Sequence, residues 1–275
     1  MLAALIIVFR EIIEAGLIIG IALAVTKGVP GAMRWIIGGV LAGVLGSCVL
    51  AIFTGAVSSA FQGMGQELFN ATILGLAVLM LGWHNIWMAR HGRELAADMK
   101  AAGRDVATGV KGVGALAVVV GVAVLREGAE VVLFLYGIVV SGHESAAQLL
   151  LGGFGGLALG AAFTVLTYIG LVHIPLRHLF AVTSALIAFL AAGMAAQSVA
   201  FLESAGKVTA LDQTVWNSSR ILSEDSVVGR VLHTLIGYMD RPTAMELVVY
   251  LVVLAIIFGL GRVMRPKPFR RSIAT

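Results

Sequence analysis

Charge is what this chain has least of. Asp, Glu, Lys and Arg make up 12% of its 275 residues, about half the share of a soluble domain. Cysteine is nearly absent: Cys48 is the only one, so no intrachain disulfide can form and no Cys/His metal cluster is present. Set inside an apolar run, it reads as a small packing residue. The five prolines all fall between or beyond the long apolar runs, where a missing N–H costs least. What the chain has in abundance is apolar surface. Hydrophobic residues are 59% of the total and Gly contributes 34 residues, more than a soluble fold of this size could bury. The composition is that of an integral membrane protein.

Seven apolar runs are long enough to span a bilayer, at about 2–25, 36–57, 67–89, 114–140, 148–172, 179–202 and 244–261. Backbone hydrogen bonds must be satisfied within each run, so the runs predict helices and an all-α membrane protein. The start Met-Leu-Ala-Ala-Leu has no basic stretch before the first run, so that run is expected to remain in the mature protein. Lys and Arg are unevenly placed. Thirteen lie in one set of loops and four in the other, all of these in 203–243. This bias predicts an outside N-terminus and a cytoplasmic C-terminus. The basic balance, +4 overall, is therefore a topology signal with the basic tail against anionic lipid, and no nucleic-acid partner is implied.

The centres of runs 1–3 and 4–6 repeat at an offset of about 113 residues. Three spans per copy means that the second copy enters from the opposite side, the inverted-repeat plan of many secondary transporters. The expected organisation is one membrane domain over 1–275. It comprises repeat A (1–89), a cytoplasmic loop (90–113), repeat B (114–202), an extracytoplasmic loop (203–243), and a seventh span with a basic tail (244–275). Gly39 and Gly43, and Gly152, Gly156 and Gly160, recur every fourth residue, a spacing that lets helices approach closely in lipid. Within 203–243, residues 227–238 read as a short interfacial helix.

Charge inside the runs is concentrated in two places. Arg10-Glu11-Ile12-Ile13-Glu14 and Arg126-Glu127-Gly128-Ala129-Glu130 both read Arg-Glu-x-x-Glu, at the middle of spans 1 and 4. Each charge at mid-bilayer costs about 2.5–3.5 kcal/mol on insertion scales, so six would cost on the order of 15–20 kcal/mol before compensation. Carboxylates at i and i+3 share a helix face. They repel one another unless a cation sits between them. If the repeats bring the motifs together, Glu11, Glu14, Glu127 and Glu130 converge on an oxygen-only site suited to a hard cation. Arg10 and Arg126 cannot be ligands and are expected to orient and partly neutralise the glutamates.

These two motifs, in spans 1 and 4 of a seven-span chain, resemble the high-affinity, oxidase-dependent iron permease family. Trp83-His84, Arg90-His91-Gly92-Arg93-Glu94-Leu95, the run 191–197, and Gly237-Tyr238 with Arg241-Pro242 are similar too. Ile12, where many members carry Gly, and Asn217, where bacterial relatives carry Asp, depart from the pattern. The resemblance implies a bacterial inner-membrane permease that carries iron inward on the motif glutamates, as ferric ion supplied by an extracytoplasmic ferroxidase partner. It implies iron as cargo, with no permanently bound cofactor. Oxygen donors also suit other cations such as manganese or lead. A membrane oxidase is a further class, but neither motif contains the Glu-x-x-His of di-iron enzymes. Weaker pathway candidates are Glu67 at the outer start of span 3 as an entry ligand, and His84 and His91 at its cytoplasmic end as exit ligands. The oligomeric state is not readable from the sequence.

Overall fold

The computed structural model describes residues 1–60, 66–141, 145–170, 176–224 and 226–263. Its regular structure is helical: α1 (Leu2–Val25), α2 (Ala32–Ala60), α3 (Gln66–Ala107), α4 (Gly114–Ser141), α5 (Ala146–Tyr168), α6 (Leu176–Ser204), α7 (Val227–Ile236) and α8 (Ala244–Val263). An isolated bridge between Thr214 and Thr243 is the one β pairing among the described residues.

Each apolar run has become a helix. Ala32–Gly55, Gln66–Trp87, Ala146–Tyr168, His178–Ser204 and Ala244–Val263 are long and apolar enough to cross a membrane. The remaining long helices, α1 with 24 residues and α4 with 28, each carry three charges at their middle. One boundary differs clearly from expectation. Residues 90–107, read as part of a loop, continue α3, which runs for 42 residues. Their charge ends the apolar run but not the helix, because Ala, Arg, Glu, Met and Lys are strong helix formers and no proline intervenes. The tail beyond Val263 lies outside the described residues.

Helix ends are set locally. Ser145 caps α5: its hydroxyl accepts from Gln148 N, and Gln148 Oε1 accepts from Ser145 N, a reciprocal capping box. Thr243 and Glu246 do the same at the start of α8, with Thr243 N donating to Glu246 Oε2 at 2.8 Å and Glu246 N to Thr243 Oγ1 at 3.1 Å. The lone carboxylate of the seventh apolar run is thus a helix cap.

The glycine stripes decide the packing. α5 lies on α1, α2 on α4 and α3 on α6, with α1 and α4 in contact. A Cβ at Gly156 would stand 2.6 Å from the Leu5 carbonyl oxygen and 2.9 Å from Phe9 N; at Gly43 it would stand 2.8 Å from the Gly121 carbonyl oxygen and 2.9 Å from Leu125 N. The opposite faces of α2 and α5 leave Ile52 and Phe154 at 74% and 68% exposure, apolar surface for lipid. Two buried apolar clusters flank the helix middles. One joins Ile7, Leu74, Leu81 and Phe134, the other Ile18, Ile36, Leu116 and Val124. The charged motifs lie between them.

The segment after α6 is more than a solvated loop. Val215 N and Ser218 N donate to the Pro242 and Asp240 carbonyls, folding 211–218 against 240–245. Ser226 caps α7, which closes at Gly237 in the left-handed conformation (φ 68°). Gly237 rests on Gly193, with its Cα 3.0 Å from the position a Gly193 Cβ would occupy. α7 thus packs eleven residues inside the end of α6.

Adding one methyl group at Gly43 or Gly156 forces α2 from α4 or α5 from α1. Gly43→Ala and Gly156→Ala are expected to lose about 1–3 kcal/mol, the usual cost of overpacking, read as a lower unfolding temperature in detergent. Gly38→Ala, which meets nothing within 4 Å, should leave it unchanged.

Candidate functional site

Both motifs place an arginine four residues before a glutamate, one helical turn apart. In α1, Arg10 Nε stands 2.8 Å from Glu14 Oε1. In α4, Arg126 Nε donates to Glu130 Oε1 at 3.2 Å. The intervening Glu11 and Glu127 project from the facing sides of α1 and α4. The structure therefore brings all six motif residues together, from positions 116 apart in the chain.

The two halves differ in burial. Arg10 is 1% exposed, with Nη1 3.9 Å from Glu11 Oε1. The Arg126 side chain is 36% exposed and lies 4.3 Å from the Trp87 ring centre, a cation–π contact. Counting two arginines and four glutamates, the cluster carries a formal charge of −2. Glu11 and Glu127 are buried, and the nearest cationic nitrogens, Arg10 Nη1 and His84 Nε2, stand 3.9 Å from the Glu11 oxygens. Buried carboxylates so loosely compensated are costly, and the formal excess is of the sign that a cation offsets.

His84 completes the cluster. Expected near the end of span 3, it lies buried among the glutamates. Its Nδ1 contacts Glu130 Oε2, and its Nε2 is 3.5 Å from Glu14 Oε2 and 3.9 Å from Glu11 Oε2. One donor atom from each of Glu11, His84, Glu127 and Glu130 falls within 4.8 Å of the others. Hard cations bind oxygens at about 2.0–2.6 Å, so opposed donors sit about 4–5 Å apart, and the group is of the right size for one ion. The oxygen-only expectation is amended by one nitrogen. A sequence signal for it exists: buried Leu74, Ala77, Leu81 and His84 follow helical spacing, which puts His84 on the inward face of α3.

The other candidates are not brought in. Glu67 is exposed in the first turn of α3, 17 residues from His84, or about 25 Å along a helix. His91 lies on α3 seven residues past His84, and its side chain is outside the described residues. Cys48, read as a packing residue, is exposed.

Two cavities reach the cluster. One of about 390 Å³, between α1, α2, α4 and α5, is lined by Glu11, Glu127, Ser47, Cys48 and Phe154 among others. The second, about 570 Å³ between α3 and α4, is lined by Trp83, His84, Trp87, Arg126 and Glu130 with apolar neighbours.

A family model described as the iron permease FTR1 family matches residues 1–264. The chain is 31% identical over 261 residues to the ferrous iron permease EfeU of Escherichia coli O6:H1, covering 92% of each. It is 30% identical over 259 residues to the ferrous iron permease EfeU of Yersinia pestis, covering 92% of this chain and 90% of that one. No solved structure matches the chain. By the match over nearly its whole length, this chain belongs to the FTR1 iron permease family.

Proposed function

We propose that this multi-pass membrane protein carries iron inward across the bacterial cytoplasmic membrane, with Glu11, Glu14, Glu127 and Glu130 forming the transport site. The single observation that carries this reading is the convergence of both Arg-Glu-x-x-Glu motifs on one buried cluster of excess negative charge. Iron is cargo here, not a resident cofactor, and the protein acts as a transporter rather than an enzyme. Carboxylates alone favour ferric ion, handed over by an extracytoplasmic ferroxidase; the relatives carry ferrous iron in their names. Iron uptake accommodates either form.

In the proposed topology α1 and α4 span the membrane with the five apolar helices, making seven spans, N-terminus outside. Their charges exceed what an isolated span tolerates, but the four glutamates and Arg10 are buried within the protein. The packing supports two inverted repeats. α1 on α5 and α4 on α2 are equivalent pairs under exchange of the repeats. The match extends to single residues. Gly156 meets Leu5 and Phe9, and Gly43 meets Gly121 and Leu125. The glycines are 113 apart and their partners 116.

The arginines then have unequal tasks. Arg10 is sealed against Glu14, whereas the Arg126 side chain is 36% exposed and lies over Trp87. Arg10→Gln should cost about 3–5 kcal/mol, as breaking a buried pair does, with Arg126→Gln milder; unfolding temperatures in detergent compare them. Uptake of radiolabelled iron at matched protein level should fall to background in Glu11→Gln, Glu127→Gln and Glu130→Gln. Near-wild-type uptake by Glu127→Gln would overturn the reading. A reporter active only in the cytoplasm should work when fused after Thr275 and fail when fused before Met1; the reverse pattern would refute the orientation.

A further inference from the structure

The reading above rests on carboxylates and leaves His84 unused. We propose that His84 is a direct ligand of the transported iron and the residue that tilts the site toward ferrous iron. This rests on the glutamate cluster being the transport site.

His84 is 3% exposed, and both ring nitrogens are turned toward carboxylates. Each faces a different motif: Nδ1 meets Glu130 of the second, and Nε2 faces Glu14 and Glu11 of the first. One nitrogen can therefore bind an ion while the other is oriented by a carboxylate, the usual arrangement of metal-binding histidines. The ring also lines the larger cavity beside Glu130 and Arg126.

Where α6 packs on α3, its buried face is largely alanine, with Ala188, Ala191, Ala192, Ala195 and Ala196. Ser198 donates from α6 to the Ala71 carbonyl, and Gln197, 113 residues after His84, is partly buried. Among the described residues His84 is the one histidine of a cluster whose carboxylates come in matched pairs. A residue that served only to neutralise charge would duplicate the two arginines. What imidazole adds is a softer donor. Carboxylates suit magnesium, calcium and manganese, whereas imidazole suits ferrous iron and the later divalent metals. Placing one nitrogen among three carboxylate donors raises the preference for ferrous iron over manganese without abolishing affinity for hard ions.

The test uses purified full-length protein in detergent under anaerobic conditions, with ferrous and manganous ions as probes. Nitric oxide added to the ferrous form gives a paramagnetic adduct whose spin-echo modulation reports coordinated imidazole nitrogen. Wild type should show that modulation, and His84→Asn should lose it. Ferrous affinity should fall by about tenfold or more, the loss that even an indirect partner of a metal ligand brings, with manganese affinity changing less. His84→Asp should restore binding with the preference moved toward manganese. His178→Asn, exposed on α6, should behave as wild type. Size-exclusion profiles identify any variant that does not fold, in which case His84→Asp and His84→Gln carry the comparison. Ferrous binding by wild type without imidazole modulation, or modulation and metal preference unchanged in the His84 variants, overturns the proposal while leaving glutamate-dependent uptake intact. Failure of wild type to bind iron, together with unchanged uptake in Glu127→Gln, would overturn the carboxylate reading itself.

Discussion

The structure depends on holding four buried carboxylates and two guanidinium groups in one place between the helices. Unpaired, each would be prohibitively costly to bury. Arg10 on Glu14 and Arg126 on Glu130 remove part of that cost within each helix, and His84 links the two halves. The formal charge of the motif residues is negative, and low-dielectric surroundings strengthen the attraction of ionised carboxylates for a cation. Stability and function are in tension at this point: further neutralisation by the protein would steady the fold and weaken the site.

The rest of the architecture serves that cluster. Glycines at fourfold spacing let α5 press on α1 and α2 on α4, fixing the helices that carry the motifs. Apolar clusters flank the polar layer and exclude water from it. The two cavities approach from different faces. The two halves of the cluster differ, with one arginine sealed, the other open beneath Trp87, and a histidine contributed by α3.

Several elements were legible from residues alone. α1 and α4 begin where the apolar runs begin, the glycine stripes meet the helices that need them, and the α7 span matches closely. The continuation of α3 to Ala107 was hidden because charge ends a hydropathy signal without ending a helix. The packing of Gly237 on Gly193 was hidden because a left-handed cap has no long-range signature. His84, read within span 3, takes its buried position from the helix face shared with Leu74, Ala77 and Leu81.

The sequence by itself determined the class of the protein and where its buried charges lie along the chain. Apolar runs of this length admit few structures besides helices, and charges in them are too costly to be incidental. Only the tertiary structure decided which charges meet. Spacing along one helix fixes the pairs Arg10–Glu14 and Arg126–Glu130, because those contacts are a single turn apart. The distance from Glu11 to Glu127, and the arrival of His84 between them, depends on how three helices cross. That is set by side-chain packing among residues far apart in the chain, which no local pattern encodes.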